Sequence, residues 1–176
     1  SGCNGPSASA STNVTVTGSV GTPSAPSGTF TRCQGGGNDT YTTSASNATS
    51  YNWTFSPGAA GTINAGTGVV TWDPTFTGTA TVTVTANGCG GPSASASNTV
   101  TVTPTVGVPS APSGTTSRCI GAGLDAYTTS ATDATGYNWS ISPFGAGTID
   151  GVGVVTWVAT YSGTATISVT ASGCNG

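Results

Sequence analysis

The stretch Thr79-Ala-Thr-Val-Thr-Val-Thr85 alternates apolar residues with threonine at a strict period of two. Successive side chains of a β-strand point to opposite faces, so Ala80, Val82 and Val84 share one face and the threonines the other. One dry face and one wet face is the pattern of a strand laid on a core. Working outward, the same alternation recurs at residues 98–103, 164–170 and 13–17. Shorter segments rich in aromatic and β-branched residues read as strands at 41–44, 50–56 and 68–72. Gly, Pro and Ser clusters bound these segments, and no stretch carries helical spacing. The chain reads as all-β.

The strands recur because the sequence does. Aligned with itself, the chain repeats at a period of 86 residues. Arg32-Cys33 returns as Arg118-Cys119, Tyr51-Asn-Trp53 as Tyr137-Asn-Trp139, and Pro23-Ser-Ala-Pro-Ser-Gly28 as Pro109-Ser-Ala-Pro-Ser-Gly114. One residue is lost between Asn64 and Gly68, after which Trp72 returns as Trp157 and Gly78 as Gly163. Ser172-Gly-Cys-Asn-Gly176 repeats Ser1-Gly-Cys-Asn-Gly5, so a window on a longer array is expected. A period of this size fits one immunoglobulin-like sandwich, roughly seven short strands in about 100 residues. The expected segmentation is the last strand of a preceding repeat (1–21), a complete repeat (22–105), and a further repeat lacking its last strand (106–176). The prolines at 23, 26, 109 and 112 are expected to stiffen short linkers between repeats.

Composition excludes several functions. Serine and threonine supply 59 of 176 residues, and the charged groups are only two Arg and five Asp. Such polarity without high net charge, with regularly placed aromatics, is that of a folded strand protein rather than a disordered one. A net charge of −3 leaves no basic stripe for nucleic acid. No apolar run is long enough to span a membrane. With no His, Lys or Glu, the commonest general bases are missing, so no catalytic residue, metal or cofactor is assigned and no enzyme is expected.

Five cysteines fall at two positions of the repeat. Within repeats, Cys33 would bond Cys89 and Cys119 would bond Cys174, leaving Cys3 for a preceding repeat. Across the linker, Cys3 would bond Cys33 and Cys89 would bond Cys119. The first pairing is favoured, because it lies near where immunoglobulin-type sandwiches place their bridge. Zinc is a poor reading, with no CxxC spacing and no His. Paired cysteines imply an oxidising, extracellular compartment.

Other residues have plain structural readings. Trp53, Trp139, Trp72 and Trp157 are assigned to the core rather than to sugar stacking. Asp39 and Asp125 are read as turn formers paired with Arg32 and Arg118, since one carboxylate per repeat is thin for calcium. Gly35-Gly-Gly37 and Gly121-Ala-Gly123 are turns, with neither the lysine nor the helix of a phosphate loop. The N-x-S/T sequons number no more than chance allows, and the Thr-x-Thr ladders are too interrupted for an ice-binding face.

The pattern Cys-x-Gly…Tyr…Ala-x-x-Tyr-x-Trp…Gly-x-Ile…Gly-Val-Val-Thr-Trp…Gly-x-Ala-x-Val-x-Val…Gly-Cys-x-Gly…Val-x-Val resembles the PKD-like, immunoglobulin-like repeats of giant Bacteroidetes surface proteins. That resemblance implies type IX export and display as a cell-surface adhesin of the gliding kind. The Trp-Asp-Phe-Gly-Asp-Gly signature of better-known PKD modules is absent. Tyr51-Asn-Trp-Thr-Phe-Ser56 stands in its place, so no ligand property of those modules carries over. The expected function is a stalk or fibre holding a distal adhesive tip away from the cell. Its partners would be neighbouring repeats, laterally associated fibres and surface glycans. The alternative is a glycan- or partner-binding module of a secreted multidomain protein.

Overall fold

The computed structural model describes Gly5 and residues 8–176. In chain order the strands are β1 (Thr31–Cys33), β2 (Gly37–Thr40), β3 (Ala48–Ser56), β4 (Gly61–Ile63), β5 (Val69–Trp72), β6 (Gly78–Gly88) and β7 (Ala96–Thr103), followed by β8 (Gly123–Ala126), β9 (Gly136–Ser142), β10 (Gly147–Ile149), β11 (Val154–Trp157) and β12 (Thr166–Ser172). The first seven form one sandwich. Its larger sheet has the order β1-β7-β6-β3 and its smaller sheet β2-β5-β4. All pairs are antiparallel except β1 with β7, which run parallel with Cys33 opposite Thr103.

Strand β6 shows how the sequence makes the core. Ala80, Val82, Val84 and Ala86 are all buried, while the intervening threonines stay partly exposed. Opposite them, β7 contributes buried Val100 and Val102, and the smaller sheet adds Val70 and Trp72. Each such valine removed from water contributes about 1.5–3 kcal/mol. Tyr41 and Trp53 close the core, and Gly68 fits between them with a positive φ of 70°. A Cβ there would lie 2.9 Å from the Trp53 ring and 2.6 Å from the Tyr41 carbonyl, so only glycine fits.

The second sandwich repeats this plan in part. Its sheets are β10-β11-β8 and β12-β9. Residues 117–119, which correspond to β1, form no strand, and no strand lies along the free edge of β12 among the described residues. β1 exists only by pairing with β7. Without a strand in the β7 position its counterpart has nothing to pair with.

Several expectations need correction. Residues 13–17 pair with no other strand among the described residues, and Val14 and Val16 are 81% and 90% exposed. Residues 41–44 contribute only an isolated bridge between Ser27 and Thr42. The prolines expected in linkers are packed on the sandwich instead. Pro23 and Pro26 are buried, and the segment between them is held by Ser24 N–H to Ser44 O (2.9 Å) and Ser27 N–H to Thr42 O (2.9 Å). The short stretch before Pro109, near Val106, is where the first sandwich gives way to the second.

The favoured disulfide pairing also fails. The structure joins Cys33 to Cys174, with Cα atoms 5.3 Å apart, and leaves Cys89 and Cys119 as exposed free thiols. The reason is strand direction. Gly78 at the start of β6 pairs with Val102, beside Thr103 and hence Cys33. Cys89 follows the far end of β6, which at about 3.3 Å per residue is on the order of 30 Å away. A disulfide bridges Cα atoms no more than about 7 Å apart. The bridges within repeats, Cys33–Cys89 and Cys119–Cys174, and the alternative Cys89–Cys119 are all absent. The Cys3 assignment lies outside the described residues.

Candidate functional site

The disulfide sits at the junction between the two sandwiches and is surrounded by polar contacts. Val106 N–H donates to Cys174 O at 3.0 Å, which fixes the start of the second sandwich against its own last turn. Gln34 N–H donates to Thr103 O at 2.7 Å, and its side-chain Oε1 accepts from Thr105 N–H at 3.2 Å. Asn175, in the left-handed region at φ 61°, reaches back across the junction. Its Nδ2 donates to Gln34 O at 2.7 Å and to Thr105 Oγ1 at 3.2 Å. The junction is therefore a covalent bond set within hydrogen bonds from both sandwiches, a clasp rather than a hinge.

Half of the same clasp recurs at the opposite end of the first sandwich. Val20 N–H donates to Cys89 O at 2.8 Å, and Gly21 N–H to Ser46 O at 2.9 Å, matching Val106 with Cys174 and Gly107 N–H with Thr132 O at 2.9 Å. Here Cys89 is exposed and free.

A second cluster adds a Trp to each Arg–Asp pair that the sequence singled out. Asp39 Oδ2 accepts from Arg32 Nη1 at 2.7 Å and from Trp72 Nε1 at 2.7 Å. The Arg32 guanidinium lies 4.9 Å from the Trp72 ring centroid and also donates to the Gly35 and Gly36 carbonyls. The second sandwich has the same arrangement, with Asp125 between Arg118 (2.8 Å) and Trp157 Nε1 (2.7 Å) and the cation 5.1 Å from the ring. Asp39 is thus a strand residue of β2, not a turn former, and its carboxylate is already occupied. No group of ligands suited to a metal ion occurs among the described residues. The cluster ties the segment that carries Cys33 to the smaller sheet, so it positions the clasp. Nothing in the sequence separated this role from a simple ion pair, although Arg, Asp and Trp at matching places in both repeats were its signal.

Trp53 and Trp72 are 4% and 3% exposed, in the core. Trp139 and Trp157 differ in being only half-buried. Tyr41, whose hydroxyl donates to Thr29 O at 2.6 Å, has its pKa pushed up to about 12 by burial, helped by the Asp39 charge and opposed by Arg32. Burial likewise raises Tyr127, its counterpart. Beside residues 117–121 and 161–167 the second sandwich has an open groove of about 700 Å³.

Two facing sheets in the first sandwich and a disulfide define an all-β, immunoglobulin-like module of the extracellular type. Residues 19–102 match the family model of the PKD-like domain. Among solved structures, Sidekick-1 immunoglobulin domains 1–4 are similar, with 11% sequence identity and a TM-score of 0.49 over 89% of this chain and 50% of that one. The chain thus spans about half the length of that neighbour. No curated protein matches the sequence. No helix among the described residues is long and apolar enough to cross a membrane.

Proposed function

We propose that this chain is a structural repeat segment, a stalk or fibre of a large secreted cell-surface adhesin. The observation that carries the reading is the Cys33–Cys174 bond across the junction. A module that only binds a ligand gains little from a covalent bond to its neighbour, whereas a spacer that must hold direction under load gains a fixed joint. The bond closes a loop with a sequence separation of 141 residues. In the chain-entropy account, closing a loop of that length contributes about 5 kcal/mol. Low charge fits the same role, since adjacent fibres would repel each other little and lateral association follows. In the first sandwich the enclosed rings of Trp53 and Trp72 offer no face for stacking a sugar, which weighs against the glycan-binding alternative there, while Trp139 and Trp157 of the second are half-buried.

Small-angle scattering tests the proposal. The oxidised chain should be elongated, with one narrow distribution of inter-sandwich angles. Cys33→Ser should broaden that distribution while both sandwiches stay folded. A compact particle, or specific saturable binding on a glycan array, would count against the stalk.

A further inference from the structure

We propose that the edge of β9 in the second sandwich is a docking site for an extended, uncharged peptide segment of a partner protein, which adds to the edge as a strand and is anchored on Trp139. In an antiparallel pair, alternate residues turn their backbone groups towards the partner strand and away from it. In the first sandwich Trp53 turns its N–H away from β6, and Ala65 O accepts it at 2.9 Å. Ala65 lies in the turn between β4 and β5, so that turn caps the edge of β3. Trp139 holds the same place on β9, opposite Val169 as Trp53 is opposite Val84. The turn between β10 and β11 is one residue shorter, with Asp150-Gly-Val-Gly153 standing for Asn64-Ala-Gly-Thr-Gly68. Asp150 closes this turn on itself, its Oδ1 accepting from Val152 N–H at 3.0 Å and Val154 N–H at 2.8 Å. No turn carbonyl takes the Trp139 N–H among the described residues. The lost residue uncaps the edge.

Beside the uncapped edge is a hollow of about 380 Å³ lined by Tyr127, Thr129, Tyr137, Trp139, Gly151 and Val152. β12 pairs with the other edge of β9, so the hollow lies on the side where no strand is paired. Trp139 is half-buried there, whereas Trp53 is 4% exposed, and Val152 in the shortened turn is 77% exposed. The cause is internal to the repeat: a residue lost between β10 and β11, both of which are complete.

The first sandwich shows what fits such an edge. Its own occupant is a peptide carbonyl, contributed by alanine and followed by glycine. Tyr137, two residues before Trp139, turns its backbone groups to the same side as Trp139. A row of N–H donors and C=O acceptors along a strand edge is matched by another extended backbone, which supplies affinity while side-chain pockets supply selectivity. The inward side chain of the docked segment would rest against the Trp139 and Tyr127 rings. No charged residue lines the hollow, so a charged side chain there would lose its hydration without gaining a partner. The segment is therefore uncharged. Gly151 leaves it room, since a Cβ at that position would meet nothing within 4 Å. The site does not depend on the stalk reading.

Selection from a displayed library of linear heptapeptides, followed by amide exchange, is the test. The bait is the oxidised chain, and binders are subtracted on a filled variant in which the sequence of residues 64–68 replaces residues 150–153. Uncharged peptides should survive the subtraction. In the free chain the Trp139 amide should exchange faster than the Trp53 amide, and a selected synthetic peptide should slow Trp139 and Tyr137 together. Gly151→Leu fills the hollow from a position with open space around it, so circular dichroism should be unchanged. It should weaken the peptide by more than about ten-fold, and N-methylation of alternate peptide residues should do the same, because main-chain hydrogen bonds are lost. A library that yields nothing after subtraction overturns the proposal, as does a peptide indifferent to Gly151→Leu or to N-methylation. Protection of the Trp139 amide by an oligosaccharide, or by raising the concentration of the chain alone, would assign the edge to a sugar or to a second copy and overturn it equally.

Discussion

Force spectroscopy on the oxidised chain and on Cys33→Ser offers the sharpest check of the junction bond. When the chain is pulled between its termini, load runs along residues 1–33, across the disulfide, and out through residues 174–176. The sequence separation of 141 leaves 140 residues shielded between the two cysteines. At about 3.5 Å per extended residue these hold roughly 490 Å of contour length. The shielded parts of both sandwiches should therefore give no unfolding step in the oxidised chain, and only residues 20–32 of the first sandwich, which lie outside the loop, can be peeled away, for roughly 45 Å. In Cys33→Ser the steps of the two sandwiches should appear and sum to roughly 490 Å, and reduction of the unsubstituted chain should do the same. Bonds within each repeat would behave differently. They would shield two shorter loops of about 190 Å each and leave the connecting segment free to extend. An oxidised chain that unfolds a sandwich, or one that lengthens on reduction in two steps of about 190 Å, refutes the clasp.

Three further outcomes follow from the site. Asp39→Ala strands the Arg32 charge and the Trp72 indole N–H in surroundings where the ion pair is 15% and 19% exposed. It should cost the first sandwich about 2–3 kcal/mol in urea titration, and Asp125→Ala should cost the second less, because Arg118 is 27% exposed. Tyr41 should ionise only near pH 12 in an absorbance titration. Its raised folded-state pKa of about 12 adds stability that is fully present below the ordinary value of 10.0 and is lost as pH climbs towards 12. Because the Asp39 carboxylate is already held by Arg32 and Trp72, calcium or a chelator should leave Tm unchanged in calorimetry, and a rise with calcium would reopen a metal site.

How much was legible in the sequence varies by element. Strands β3, β5, β6, β7 and β12 were visible because period-two alternation is written locally. β2 was not, since Gly-Asn-Asp-Thr carries turn residues. Its conformation is imposed by pairing with β5 and by the grip of Arg32 and Trp72 on Asp39. Residues 13–17 have the local pattern but no neighbour among the described residues, and a strand is a property of a pair. The disulfide was misread for a similar reason. Spacing along the chain says nothing about which end of a sandwich a cysteine occupies, and that depends on strand direction. Only the pairing of the strands shows that Cys89 follows the end of β6 remote from Cys33.

Placing the bond at the junction rather than inside a sandwich also makes physical sense of this composition. A core built from valine, alanine and a few aromatics holds each sandwich together, with Arg32, Asp39 and Trp72 bracing one end. What such modules lack is a strong interface between neighbours, because their surfaces are threonine, serine and glycine. Polar surfaces of that kind pack weakly, and inter-domain motion is the default when the contact is small and polar. An internal bridge would stabilise one sandwich and leave that joint loose. The bond between Cys33 and Cys174 places its contribution at the joint instead. It has a topological consequence too. Cys89 and Cys119 both lie inside the loop closed by Cys33 and Cys174, so a bond from either thiol to a further sandwich would interlock with that loop rather than simply follow it. In a chain of sandwiches joined in this way, no single module could be drawn out without first breaking a disulfide.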